Sequence, residues 1–155
     1  MSEKLTVDGL FAKAWIELEL NLIECAVGTM DQIIDENPKL NRIQQELFEN
    51  IHKKRLTPYR DVLCMEDNEL VQDDQDLPYV EYVKADAFQK LKNCVQHSIY
   101  QLDTILIPAI NSEAGNEDVE RVKSLIFYYR VKADYYRYIA EYTAPEQDKT
   151  PFEES

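Results

Sequence analysis

At 155 residues the chain has the length of one domain, and its 45% hydrophobic and 30% charged content is globular rather than disordered. Its three glycines are too few for a tight-turned β-sandwich or barrel, or for a phosphate loop built on several glycines. A formal net charge of −13 sets it against nucleic acid, whose phosphates it would repel unless its few cations were clustered.

The N-terminus, MSEKLTVDGL, has no apolar run of the signal-peptide kind. From Leu10 to Ile34 apolar residues return at three- and four-residue steps (Leu10, Ala14, Leu18, Leu22, Cys25, Thr29, Ile33), a helical stripe closed by Asn37-Pro38. The span is long, and a break between Glu17 and Asn21 would split it into two antiparallel helices, although no proline or glycine marks the place. Leu40, Ile43, Leu47 and Ile51 restart the stripe. Thr57-Pro58 then interrupts it, either as a kink or as the capped first turn of a new helix.

Residues 66–78, EDNELVQDDQDLP, read as a solvated connection; their acids lack the glycine and terminal glutamate of a calcium-binding loop. Val83, Ala87, Leu91, Cys94, Val95, Ser98, Leu102 and Ile105 face one way on the next helix, which Pro108 is expected to end. After a loop, residues 118 to about 143 form the last helix. The fold class is therefore all-α, an antiparallel array of five to six helices.

Cys25, Cys64 and Cys94 are far apart and form no Cys-x-x-Cys pair, and His52 and His97 are isolated, so neither a metal nor a cofactor is expected. No nucleophile–base set accompanies the acids, which excludes the usual enzyme signatures. The longest uncharged run, Asn93 to Leu102, is too short to cross a bilayer. The expectation is a soluble, cytoplasmic protein that binds neither nucleic acid nor membrane.

One stretch opposes the overall charge. FYYRVKADYYRY, residues 127–138, holds five tyrosines, two arginines and a lysine. Arg130 and Arg137, seven apart, share a helix face, and Asp134 between them is placed to accept from both. Phe127, Ile126, Ala133, Tyr136 and Ala140 are the expected core stripe. Spacing alone suits a surface ladder of charges as well as an anion site.

LIFYYRVKADYYRYIAEY closely resembles the helix of 14-3-3 proteins that carries an arginine–tyrosine phosphate contact, and QLDTILIPA resembles the end of the helix before it. The resemblance is strongest over residues 99–143 and covers the family's N-terminal helices. It implies a non-enzymatic adaptor that binds phosphoserine or phosphothreonine peptides of client proteins, with Arg137 and Tyr138 as phosphate contacts. Arg130 takes the place of a family lysine, adding positive potential, and Asp134 supports the arginines. The family's second cation pair has two registers here. Aligning KLNRIQQELFENIHKKRLTPYR on Leu40-Asn41 and its central leucine gives Lys53 and Arg60, seven apart. An ungapped alignment on Tyr59 gives Glu49 and Leu56, which would break the pocket. Pro58 falls where the family has continuous helix.

The same resemblance implies one domain over residues 1–143, lacking the family's C-terminal helices, and the proline- and acid-rich composition of residues 144–155 marks a flexible tail. The resemblance also implies a homo- or heterodimer in which Leu10–Ile34, with Leu10, Trp15, Leu18 and Leu22, packs on residues 79–95 of a partner. The alternative reading is a structural, dimerising module whose peptide groove is degenerate or incomplete.

Overall fold

The computed structural model describes residues 4–112 and 119–154, with Asn68 and residues 143–154 described by their backbone alone. Five long helices carry the fold: α1 (Val7–Glu19), α2 (Ile23–Glu36), α3 (Arg42–Cys64), α5 (Leu77–Gln101) and α7 (Val119–Glu154). Short pieces join them, α4 (Asp67–Leu70), a 3-10 turn (Asp74–Asp76), a π-turn (Leu102–Leu106) and α6 (Ile107–Asn111). Among the described residues there is no strand.

Thr6 caps α1, its hydroxyl accepting from the Gly9 N–H at 3.1 Å. The long first stripe does split. The Asn21 N–H donates to Leu18 and the Leu22 N–H to Glu17, closing α1 with paired backbone bonds, and Asn21 takes a left-handed φ of 62°. Asparagine tolerates that conformation better than other side-chain-bearing residues, so it serves where glycine is absent. The turn resets the helical phase. Leu10, Ala14 and Leu18 are buried as periodicity predicts, but Leu22 and Cys25 are exposed, and Ala26, Val27, Met30 and Ile34 join Thr29 and Ile33 inside. Asn21→Ala should therefore lower stability by about 1 kcal/mol and Asn21→Gly should not; urea unfolding midpoints would show the order.

Asn41 starts α3 with a reciprocal cap, its side chain accepting from the Gln44 N–H while Gln44 accepts from the Asn41 N–H, both at 2.9 Å. Leu40, Leu47 and Ile51 are buried; Ile43 is exposed, and Phe48 and Leu56 extend the core face. Pro58 starts no new helix. It lies inside α3 on the exposed side, where the carbonyl it deprives of a partner can reach water. Thr57 is not a cap either: its hydroxyl donates back to the Lys53 carbonyl at 3.0 Å. Pro108 likewise does not stop its helix, because the π-turn before it carries the chain on into α6, with the Ile107 N–H reaching Leu102. Val83 is exposed, whereas Ala87, Leu91, Cys94, Val95, Ser98 and Leu102 are buried.

The α7 register differs most from expectation. Among the side chains described, Tyr128, Val131, Tyr135 and Tyr138 are the buried residues of α7, while Ile126, Ala133, Tyr136 and Ala140 are exposed and Phe127 is part-buried. A tyrosine buries more area than an alanine and can leave its hydroxyl near a polar neighbour, so the aromatic stripe outweighs the aliphatic one. The backbone of α7 continues helical past residue 143 to Glu154.

Helix direction decides which side chains can meet. α5 runs opposite to α3: His52 meets Ser98 and Met65 meets Lys84. It runs opposite to α7 as well: Lys132 pairs with Asp103, just past the end of α5, at 2.7 Å, while Tyr135, further along α7, lies beside Ser98, earlier on α5. α3 and α7 consequently run the same way and meet in step, at Gln45 with Ser124, Glu49 with Arg130, Arg60 with Tyr138 and Cys64 with Tyr142. Behind this seam lies a polar thread. Arg55 clasps Glu24 of α2 with two 2.9 Å bonds and contacts His97 at 3.1 Å. Gln101 donates to Asp31 at 2.6 Å.

Candidate functional site

The seam between α3 and α7 gathers the cations. On α3, Glu49, Lys53, Leu56 and Arg60 follow one another at helical steps along one face. Leu56 points inward and is 2% exposed. On α7, Arg130, Asp134, Arg137, Tyr138 and Glu141 do the same.

One half of the site is built on Tyr138. The ring is 5% exposed. The Arg60 guanidinium lies over it at 3.9 Å, and that of Arg137 at 5.3 Å, so cations from two helices lie against one aromatic ring. Tyr135, fully buried, supports that ring with ring centres 6.4 Å apart. Both arginines have only long carboxylate contacts, Arg60 to Glu141 at 3.6 Å and Arg137 to Asp134 at 3.3 Å. Burial disfavours the charge on Arg60, yet a hydrogen bond to Tyr142 and nearby Tyr138 and Glu141 hold its pKa above the ordinary value. Arg60, Arg137 and Tyr138 are thus brought together, and both guanidinium groups keep donors to spare.

Glu49 dominates the other half. Its carboxylate is 3.1 Å from Lys53 and 3.0 Å from Arg130. Burial opposes its ionisation, but hydrogen bonds from Arg130 and Lys53 outweigh that and hold it below the usual carboxylate range. Asp134 reaches Arg130 at 3.4 Å as well as Arg137, and so spans both halves. Lys53 and Arg130 lie on the same seam as the other cations, each engaged with a buried neighbour. In the sequence Glu49 stands out only as the pocket-breaking alternative; its spacing of four from Lys53 is the available signal for an ion pair.

Four cations and three carboxylates meet here, on a chain whose total charge is −13. The seam is a local reversal of sign. Such an arrangement can receive an anion through the guanidinium forks of Arg60 and Arg137. Among the described residues no group of three or more His, Cys, Asp or Glu side chains is placed to hold a metal ion, and no helix is long and apolar enough to cross a membrane.

Parallel α3 and α7, separated in the chain by a return helix and joined by basic and aromatic side chains, define an all-α protein with a cluster of cations along one seam. A model of the 14-3-3 protein family matches residues 14–155, and the chain belongs to that family, whose members are non-enzymatic adaptors. It is 27% identical over 103 residues to a 14-3-3-like protein of Fucus vesiculosus, a stretch that is 66% of this chain and 37% of that protein.

Proposed function

We propose that the chain binds phosphoserine- or phosphothreonine-bearing segments of partner proteins at the α3/α7 seam. Arg137, Tyr138 and Arg60 make the first contacts and Lys53 a further one; Arg130 adds positive potential, and Asp134 orients the two arginines of α7. What carries this reading is that Arg60 and Arg137, from two different helices, both lie against the Tyr138 ring. A phosphate monoester brings nearly two negative charges and three acceptor oxygens, which suits converging guanidinium forks better than a carboxylate does.

The cellular setting proposed is cytoplasmic, and the assembly a homo- or heterodimer. Leu10 and Leu18 serve the chain's own core and are not free for that contact. Trp15, Ile16, Leu20 and Leu22 are exposed on and after α1, as are Tyr79, Tyr82 and Val83 on α5, and these support the dimer surface instead. That same apolar surface favours the second reading, a dimerising module that does not use its groove.

Titrating a labelled peptide with one phosphoserine, beside its unphosphorylated twin, separates the two readings. Binding should require the phosphate, weaken as salt is raised from roughly 50 to 300 mM, and fall at least about tenfold in Arg137→Ala. Equal binding of both peptides would overturn the recognition role.

A further inference from the structure

We propose that Glu49 is the resident anion of the seam, an internal counter-ion that competes with an incoming phosphate for Lys53 and Arg130, and that it thereby sets the affinity of the site. This role rests on phosphate binding at the seam. The geometry is that of a substituted ligand. A carboxylate from α3 sits between one cation of its own helix and one of α7, at 3.1 and 3.0 Å, largely shielded from water. Arg130 closes on it with a further contact at 3.2 Å to the other oxygen. One oxygen takes the Arg130 hydrogen bond; the other is buried within ion-pair distance of Lys53 and Arg130 but accepts no well-formed hydrogen bond among the described residues.

The two halves of the seam differ in just this respect. Arg60 and Arg137 have long contacts to partly exposed acids, which water and salt screen. Lys53 and Arg130 face a shielded one. A phosphate arriving at Tyr138 finds two cations available and two withheld, and feels Glu49 as a like charge beyond them. It can bind weakly with Glu49 in place, or use all four cations once the Glu49 side chain rotates away. Either route costs affinity that removal of the charge would restore. Gln at this position keeps the shape and the acceptor oxygen but not the charge. It frees Lys53 and Arg130 for an external anion without unpacking the seam.

The test is equilibrium binding of the same labelled phosphoserine peptide and its twin to wild type, Glu49→Gln, Glu49→Ala and Glu49→Asp, with helical content checked by circular dichroism. The expected result is phosphopeptide binding at least about tenfold tighter in Glu49→Gln or Glu49→Ala. The twin should be unaffected, Glu49→Asp should gain little, and adding Arg130→Ala should abolish the gain. Phospho-dependent binding by wild type that neither neutral variant improves would overturn the role of Glu49 and leave the recognition site standing. Failure of wild type and both neutral variants to distinguish the peptides would overturn both.

Discussion

Lowering the pH from about 7 to 4 is expected to cost the fold about 3 kcal/mol through one side chain, His52. The imidazole is 1% exposed, and burial, followed by the nearby His97 and Arg55 charges, pushes its pKa down from 6.5 to about 3. The Ser98 hydroxyl lies 2.8 Å from Nδ1, while Nε2 is buried without a hydrogen-bond partner among the described residues, so they hold no acceptor ready for a second proton there. Above pH 6.5 neither the folded nor the unfolded chain protonates this ring, and its contribution is fully present. Below 6.5 the unfolded chain takes up the proton and the folded one does not. Stability then falls by up to about 1.4 kcal/mol per pH unit until the folded ring also protonates, near pH 3.

Other groups titrate over the same range, and a chain of net charge −13 loses self-repulsion as acids protonate. The comparison that isolates His52 is therefore between wild type and His52→Gln, by urea unfolding at about pH 7, 5.5 and 4. Glutamine should lower stability at neutral pH and flatten the dependence, so that the two curves converge in acid. Parallel curves would show that the ring is not held neutral by its surroundings.

The helices were legible because each leaves a local record, a stripe at three- and four-residue steps or a cap such as Asn41. What was hidden depends on things periodicity does not encode. Asn21 ends α1 by taking a left-handed conformation that its neighbours do not announce, and the phase change behind it moved Leu22 and Cys25 to the outside. Pro58 and Pro108 stay within helical backbone for different reasons, solvent exposure in one case and a preceding π-turn in the other. The candidate site was readable on α7, where Arg130, Asp134, Arg137 and Tyr138 are close in sequence. Which α3 residues face them depends on how two parallel helices meet in step, and that is a property of packing. Glu49 against Arg130, 81 residues apart, follows only from it.

The α7 register has its own large consequence: Tyr135→Ala should cost about 3–5 kcal/mol, in the range of other buried aromatic truncations, while Tyr136→Ala should cost under about 0.5 kcal/mol. The two residues are neighbours with the same side chain, one 0% and the other 53% exposed. Tyr135 fills the space between α5 and α7, and its phenol is pushed well above the ordinary range, chiefly by burial. Its hydroxyl makes no well-formed hydrogen bond among the described residues, so Tyr135→Phe should change stability by less than about 1 kcal/mol. That contrast separates loss of packing from loss of a polar contact. Truncation also removes the support under Tyr138, against which Arg60 and Arg137 lie. Tyr135→Ala should then bind the phosphopeptide less well even where it remains folded, and Tyr136→Ala should match wild type. If instead Tyr136→Ala unfolded at lower urea than Tyr135→Ala, the aliphatic stripe would be the buried one, and the aromatic support of Tyr138 would not exist.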